Sequence, residues 1–373
     1  MKNQSVTGLI VVIAMLSTTM MISATTVAKS YAQQGQVTTI NGAGATFPFP
    51  LIDTWRVEYQ KVKPGININY QSIGSGGGVK QFTAKTVDFG ASDAPLSDTE
   101  RKAAPGAVHI PETIGSVAVA YNIPGIPSKA LKFTGPVLAD IFLGKITKWN
   151  DPQIQALNPG KTLPSANIVV VHRSDGSGTT FVWTSFLSKE SAQWNQQVGA
   201  SKSVPWPIGI GAPGNEGVAN AIKGSPNTIG YVELNYALTA SIPYALIKNP
   251  AGNFIEPSLN SAEEAVSSSS IAKSLPAGDQ SWTSVEMLNS PGKNAYPIAS
   301  FTYLLLYKDM SNNPNMDQTK AKSLVDFISW AITDGQKFAP KLGYVLLPPE
   351  VVKHNQDTLK SLTFKGKSLY TGT

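Results

Sequence analysis

The chain has 373 residues, 42% of them hydrophobic and 14% charged, with a formal net charge of +6 and no cysteine. That length supports two domains around a large core, and the charged fraction lies well below the roughly 25% of an average domain. The missing cysteines exclude a disulfide-stapled fold and a lipid anchor through cysteine, and no block of Lys and Arg interleaved with aromatics occurs, so nucleic-acid binding is not expected.

The first segment predicts an export signal rather than part of the fold. Lys2 supplies a positive start, and Gly8 to Ala24 carry no charge. Thr26-Val27-Ala28 and Ser30-Tyr31-Ala32 are small-residue cleavage patterns, so residues 1–32 read as a signal peptide. Retention of the segment as an N-terminal anchor is the alternative, because an apolar run of 17 residues is close to the lower limit of a span. The residual mild positive charge suits the steering of a small anion.

From Val37 the chain alternates β-like runs with helical patterns. Strands are predicted at Val37–Ile40, Ile66–Gln71, Val87–Gly90 and Val108–Ile110, and helices at Pro48–Gln60, Gly77–Ala84 and Ser97–Ala103. This rhythm points to an α/β fold with a mostly parallel sheet, whose ligands bind at loops beyond the carboxyl ends of strands. Two glycine-rich segments fall at such loops. Gly42-Ala43-Gly44-Ala45-Thr46-Phe47-Pro48 precedes the first helix, and Ser72-Ile73-Gly74-Ser75-Gly76-Gly77-Gly78 precedes the second. Ala91-Ser92-Asp93-Ala94-Pro95 sits at a third strand-to-helix turn. Thr46 and Ser75 stand where an N-cap belongs.

A second unit is expected to begin near Ser116–Tyr121. It holds helix Pro136–Leu143, strand Ile168–Val171, helix Thr179–Leu187, helix Asn215–Ile222 and strand Thr228–Val232. Residues 250–295 are loop-rich with one helix at Ala262–Ala272. Strand Ile298–Tyr307 and helices Ala321–Ile332 and Pro349–Leu362 close the chain.

Residues 172–181, H-R-S-D-G-S-G-T-T-F, carry the densest chemistry. Arg173, Asp175, Ser177, Gly178 and Thr179 stand immediately before an apolar helical run. A helix start offers unsatisfied N–H groups and the positive end of its dipole. Glycine lets a ligand approach the backbone, and arginine adds a planar fork matched to tetrahedral oxyanions. These are the parts of an anion site. Ser177 stands, like Thr46 and Ser75, at an N-cap position. Each loop alone could be an ordinary capped turn.

Taken together, five segments resemble one family. G-A-G-A-T-F-P at 42–48, N-Y-Q-S-I-G-S-G-G-G-V-K-Q at 69–81, V-D-F-G-A-S-D-A-P-L-S at 87–97, R-S-D-G-S-G-T at 173–179 and I-G-Y-V-E at 229–233 are similar, in order and spacing, to the PstS-type substrate-binding proteins of phosphate ABC importers. The resemblance covers essentially the whole chain after the signal segment. It implies a two-lobed type II periplasmic binding protein with a hinge and an interlobe ligand cleft. Lobe I would comprise residues 37–114 plus 297–373, and lobe II residues 115–296. It also implies an exported monomer, with inorganic phosphate and a membrane permease as partners, and neither enzymatic activity nor a cofactor or metal.

Carried over by motif, the phosphate ligands are Thr46, Phe47 (through its backbone N–H), Ser75, Asp93, Arg173, Ser177, Gly178 and Thr179. Asp175 would hold Arg173, and Gly44 and Gly76 would support the loops. Gly76 departs from the pattern, since some relatives carry serine there. Asp93 is the diagnostic residue, because an ionised carboxylate only accepts hydrogen bonds. Phosphate keeps a proton near neutral pH and sulfate does not, so Asp93 would favour phosphate and repel sulfate. The resemblance leaves arsenate, which also keeps a proton, and a surface interaction protein as alternatives. A G-x-S-x-G nucleophile elbow is not met around Ser177, because Asp175 and Thr179 occupy its glycine positions. Val79 breaks a P-loop reading of the second glycine segment. His109, His172 and His354 are scattered, without metal-ligand spacing. Trp183 and Trp206 are expected to serve packing. Gly214-Asn215-Glu216-Gly217 reads as one more helix start, structural or supporting.

Overall fold

A computed structural model describes residues 37–269, 271 and 274–370. The predicted signal peptide and the Ala272 end of the predicted 262–272 helix lie outside the described residues. Among these the strands are β1 (Thr38–Gly44), β2 (Ile66–Ser72), β3 (Phe89–Ser92), β4 (Ala107–Asn122), β5 (Lys132–Phe133), β6 (Val169–Arg173), β7 (Ile210–Ala212), β8 (Thr228–Glu233), β9 (Leu246–Lys248), β10 (Phe254–Ile255), β11 (Ala299–Tyr307), β12 (Thr363–Phe364) and β13 (Lys367–Ser368). Eight of them form one sheet in the order β2-β1-β3-β11-β4-β8-β6-β7.

The sheet corrects the expectation of a mostly parallel arrangement. β1 with β3, and β6 with β7 and β8, are parallel. The central ladders β3–β11, β11–β4 and β4–β8 are antiparallel. β11 arrives from late in the chain and enters between β3 and β4 in the opposite direction, a topology that local hydrophobic rhythm does not encode.

β4 is the second correction. The sequence predicts a strand only at Val108–Ile110 and a new unit from near Ser116, yet residues 107–122 form one strand whose residues are buried up to Tyr121. Its first part pairs with β11 through Ser116, and its second part pairs with β8 from Val117 onward. Pro111 is tolerated because the register shifts beside it. Thr302 opposes Thr113 and Tyr303 opposes Pro111, so Glu112 is the extra residue of a β-bulge.

The helices follow their apolar patterns closely. Phe49–Val62 begins with proline in its first turn and buries Leu51, Ile52, Trp55 and Tyr59 on one face. Trp55 also donates from Nε1 to Gly335 O at 2.8 Å. Truncating so large a buried ring to alanine costs about 3–5 kcal/mol in typical cores. Ser97 and Glu100 form a reciprocal capping box that fixes the start of Asp98–Ala103. No helix among the described residues is long and apolar enough to cross a membrane.

Candidate functional site

The three loops that sequence analysis singled out converge in space, and two of the expected caps prove not to be caps. The Phe49–Val62 helix is preceded by Pro48, without a side-chain cap. Thr46 lies two residues further back and is 2% exposed. Its Oγ accepts from Asn215 N at 3.1 Å and from Asn215 Nδ2 at 2.7 Å. Ser75 is the first residue of helix Ser75–Thr83, not its cap. Its buried Oγ accepts from Asp93 N at 3.2 Å and from Gly178 N at 3.0 Å. Only Ser177 caps as expected, accepting from Thr180 N at 3.0 Å at the start of helix Gly178–Glu190. A hydroxyl freed from capping can face a ligand, so the two failures strengthen the case for a site.

Phe47 turns its ring into the core against Tyr344, whose hydroxyl donates to Phe47 O at 2.6 Å. Gly44 O accepts from Ile73 N at 3.0 Å and joins the first two loops. The second loop then meets the arginine loop backbone to backbone. Gly76 N donates to Gly176 O at 2.8 Å, and a Cβ on Gly76 would stand 2.9 Å from Gly176 Cα. Gly74 adopts φ +82°, and a Cβ there would stand 2.1 Å from Asp175 Oδ2. Glycine is therefore required at 74 by conformation and by space.

Arg173 ends β6, and its side chain is 1% exposed. Asp175 takes two of its donors, Nε at 2.7 Å and NH2 at 2.5 Å. The third nitrogen, NH1, points at Thr179 Oγ at 3.4 Å. The Asp175 carboxylate also accepts from Gly214 N at 3.1 Å. Burial works against its charge, but the Arg173 bonds outweigh it and hold the carboxyl below its ordinary value. Asp175 thus grips the guanidinium by Nε and NH2 and leaves NH1 on the side of Thr179.

Asp93 reaches the same Thr179 hydroxyl. Its Oδ1 accepts from Thr302 Oγ at 2.9 Å and its Oδ2 from Thr179 Oγ at 3.5 Å. Burial pushes its carboxyl up to about 7, against the lowering effects of Thr302, Arg173 and Thr179. The site therefore gathers hydroxyls, amides and one guanidinium edge around a single buried acceptor. In their present pairing the groups bond to one another: Thr179 to Asp93, Gly178 to Ser75 and Asn215 to Thr46. They form a set of polar partners that a tetrahedral oxyanion could replace one for one.

Sequence reasoning missed several participants. Asn215, assigned only a supporting place, links the first loop to the arginine loop by donating from Nδ2 to both Thr46 Oγ and Thr179 Oγ, the latter at 3.0 Å. Its position after Gly214 at a helix start was the available signal. Thr302 and Glu112 had no local signal at all. Tyr231 and Tyr236 brace the loops, accepting from Arg173 N at 3.2 Å and donating to Thr46 O at 2.5 Å respectively. Trp183 stacks on Tyr231 with ring centroids 5.4 Å apart, and Trp206 stacks on His172 at 4.6 Å, which is the packing role expected of both tryptophans.

The chain matches the model of the PBP superfamily domain over residues 29–334. It is 45% identical over 324 residues to the phosphate-binding protein PstS of Xylella fastidiosa (strain Temecula1), covering 86% of this chain and 85% of that protein. Identity to the phosphate-binding protein PstS of Pasteurella multocida (strain Pm70) is 43% over 343 residues, or 91% of this chain and 96% of that one. In fold it resembles the crystal structure of a phosphate binding protein from Stenotrophomonas maltophilia, with a TM-score of 0.65 and 20% identity over 88% of this chain and all of that one.

Proposed function

The chain belongs to the PstS family of phosphate-binding proteins, within the PBP superfamily and with its type II binding-protein fold, and on that premise we propose that it is an extracytoplasmic receptor that captures inorganic phosphate and delivers it to the permease of an ABC importer. It acts as a monomer and performs no chemistry. The observation that carries this reading is the buried Asp93 carboxylate set opposite Arg173 within a ring of hydroxyl and amide donors. A site of donors alone would take any oxyanion. One acceptor asks the ligand to bring a proton of its own, as phosphate does at neutral pH.

The bound ion would take hydrogen bonds from the Thr46, Ser75, Ser177 and Thr179 hydroxyls and from the Phe47 and Gly178 amides. Arg173 would supply the charge-assisted bonds. Lobe I, residues 37–114 plus 297–373, would carry Thr46, Ser75 and Asp93, and lobe II, residues 115–296, would carry the arginine loop. β4 crosses from one set of partners to the other at Ser116–Val117, which supports a hinge there. Ligand would draw the lobes together by contacting both, and the permease would read the closed form.

The test is calorimetric titration of the ligand-stripped protein with phosphate and then sulfate at about pH 9, above the value of about 7 to which burial pushes the Asp93 carboxyl. One-to-one phosphate binding without sulfate heat is expected. Equal heats for both ions would overturn the role of Asp93, and silence with both would overturn the receptor reading.

A further inference from the structure

Behind Asp93, one hydroxyl stands between two carboxyls. Thr302 Oγ lies 2.9 Å from Asp93 Oδ1 and 3.2 Å from Glu112 Oε1. A threonine hydroxyl has a single proton to donate, so it cannot serve two carboxylates. One of the two carboxyls must carry a proton of its own for both contacts to be hydrogen bonds. All three residues are fully or almost fully buried.

The surroundings decide which carboxyl carries it. Asp93 is served by Thr302 and Thr179 and faces the positive charge of Arg173. Glu112 has only Thr302, and its Oε2 has no hydrogen-bond partner among the described residues. The titratable groups facing Glu112 are Asp93 and Tyr70, neither of them a cation. Gln336, packed alongside, binds the Glu112 backbone carbonyl rather than the carboxyl. An ionised carboxylate would be costly there, while a neutral acid needs only one acceptor. Burial, reinforced by the Asp93 charge, pushes the Glu112 carboxyl well above the ordinary range. The backbone also shows a built feature, because Glu112 is the extra residue of the β4 bulge, a device that re-aims a side chain beside functional sites.

We propose that Glu112 is a neutral carboxylic acid that donates to Thr302, turns the Thr302 proton onto Asp93, and so fixes Asp93 as the ionised acceptor that selects phosphate. Glu112 is then a positioning residue that never touches the ligand. The inference rests on Asp93 being the ligand acceptor, but its first test does not.

In that test, infrared spectra of the ligand-free protein are compared with those of Glu112→Gln. Any other protonated carboxyl, Glu233 and Asp93 included, contributes to both spectra, so only the difference is read. Loss of one neutral-carboxyl C=O band at neutral pH is expected. Loss of a carboxylate band instead would overturn the inference whether or not phosphate binds. The second test is the phosphate-over-sulfate affinity ratio. Thr302→Val lowers it by about tenfold or more, because Asp93 loses its donor and protonates. Glu112→Ala lets the Thr302 hydroxyl turn away and lowers the ratio about threefold, the size of one neutral hydrogen bond. Glu112→Gln, whose amide still donates to Thr302, restores the wild-type ratio. A Gln variant as impaired as the Ala variant would show that the carboxylate charge was needed and would overturn the proposal. Wild-type protein that fails to bind phosphate would instead defeat the receptor reading, leaving the infrared result to stand alone.

Discussion

The arginine loop and the aspartate loop solve opposite electrostatic problems. On the arginine side a full charge is neutralised in place: Asp175, itself 22% exposed, grips two donors of a guanidinium that is 1% exposed. On the aspartate side, Asp93 and Glu112 are both buried, and burial pushes each carboxyl up. In the proposed receptor the first side would offer strength to any oxyanion, and the second would offer little strength but ask the ligand for a proton. Affinity and selectivity would then reside on different loops, and changes to each side should separate them.

Breaking the arginine side should have the largest effect. Arg173→Ala removes the charge-assisted donors and leaves Asp175 unpaired, so phosphate affinity should fall by about a hundredfold or more. Calorimetry giving a value within about threefold of wild type would remove Arg173 from the site.

Next comes the approach of the two glycine loops. Gly76→Ala places a methyl group 2.9 Å from Gly176 Cα and endangers the Gly76 N to Gly176 O bond. Overpacking of this kind costs about 1–3 kcal/mol, so phosphate affinity should drop by about tenfold. Any contraction that phosphate induces in small-angle scattering should shrink with it. An unchanged contraction would show that this contact plays no part in closure.

Smaller still is the ion pair between Lys202 and Glu100, whose side chains are 16% and 25% exposed. It joins the segment that accepts from Ser177 N to the helix after Asp93. Partly solvated pairs contribute about 0.2–1 kcal/mol, so Lys202→Ala should weaken phosphate binding by only a few-fold, and less at high salt. A large effect that salt does not reduce would mean that Lys202 does more than pair with Glu100.

The same contrast explains what the sequence could reveal. The Arg173 side was legible because its parts are neighbours in the chain. Arg173, Asp175, Ser177, Gly178 and Thr179 fall within seven residues, and the helix they open follows at once. The helices Phe49–Val62 and Gly214–Gly224 were legible for a similar reason, since a 3.6-residue pattern is local. The support of Asp93 was not. Thr302 and Glu112 reach it only because β11 returns late in the chain to pair with β4, and because one residue is bulged out between Pro111 and Thr113. The caps were misplaced at Thr46 and Ser75 because a hydroxyl near a helix start looks the same in sequence whether it faces the helix or the cleft. β4 was divided because Pro111 and Gly115 resemble a break, while its partners on both sides hold it as one strand.

The central claim is that Asp93 selects by demanding a proton from the ligand, and sulfate competition against phosphate from pH 5 to pH 9, in wild type and Asp93→Asn, tests it most directly. With its carboxyl pushed up to about 7, wild-type Asp93 becomes a donor as pH falls through that value, so sulfate should compete progressively better below neutrality and be excluded above it. The amide of Asp93→Asn can donate at every pH, so the variant should take sulfate about ten- to a hundredfold better at high pH and lose the pH dependence. A wild-type selectivity that is flat with pH and unchanged in the variant would contradict the account.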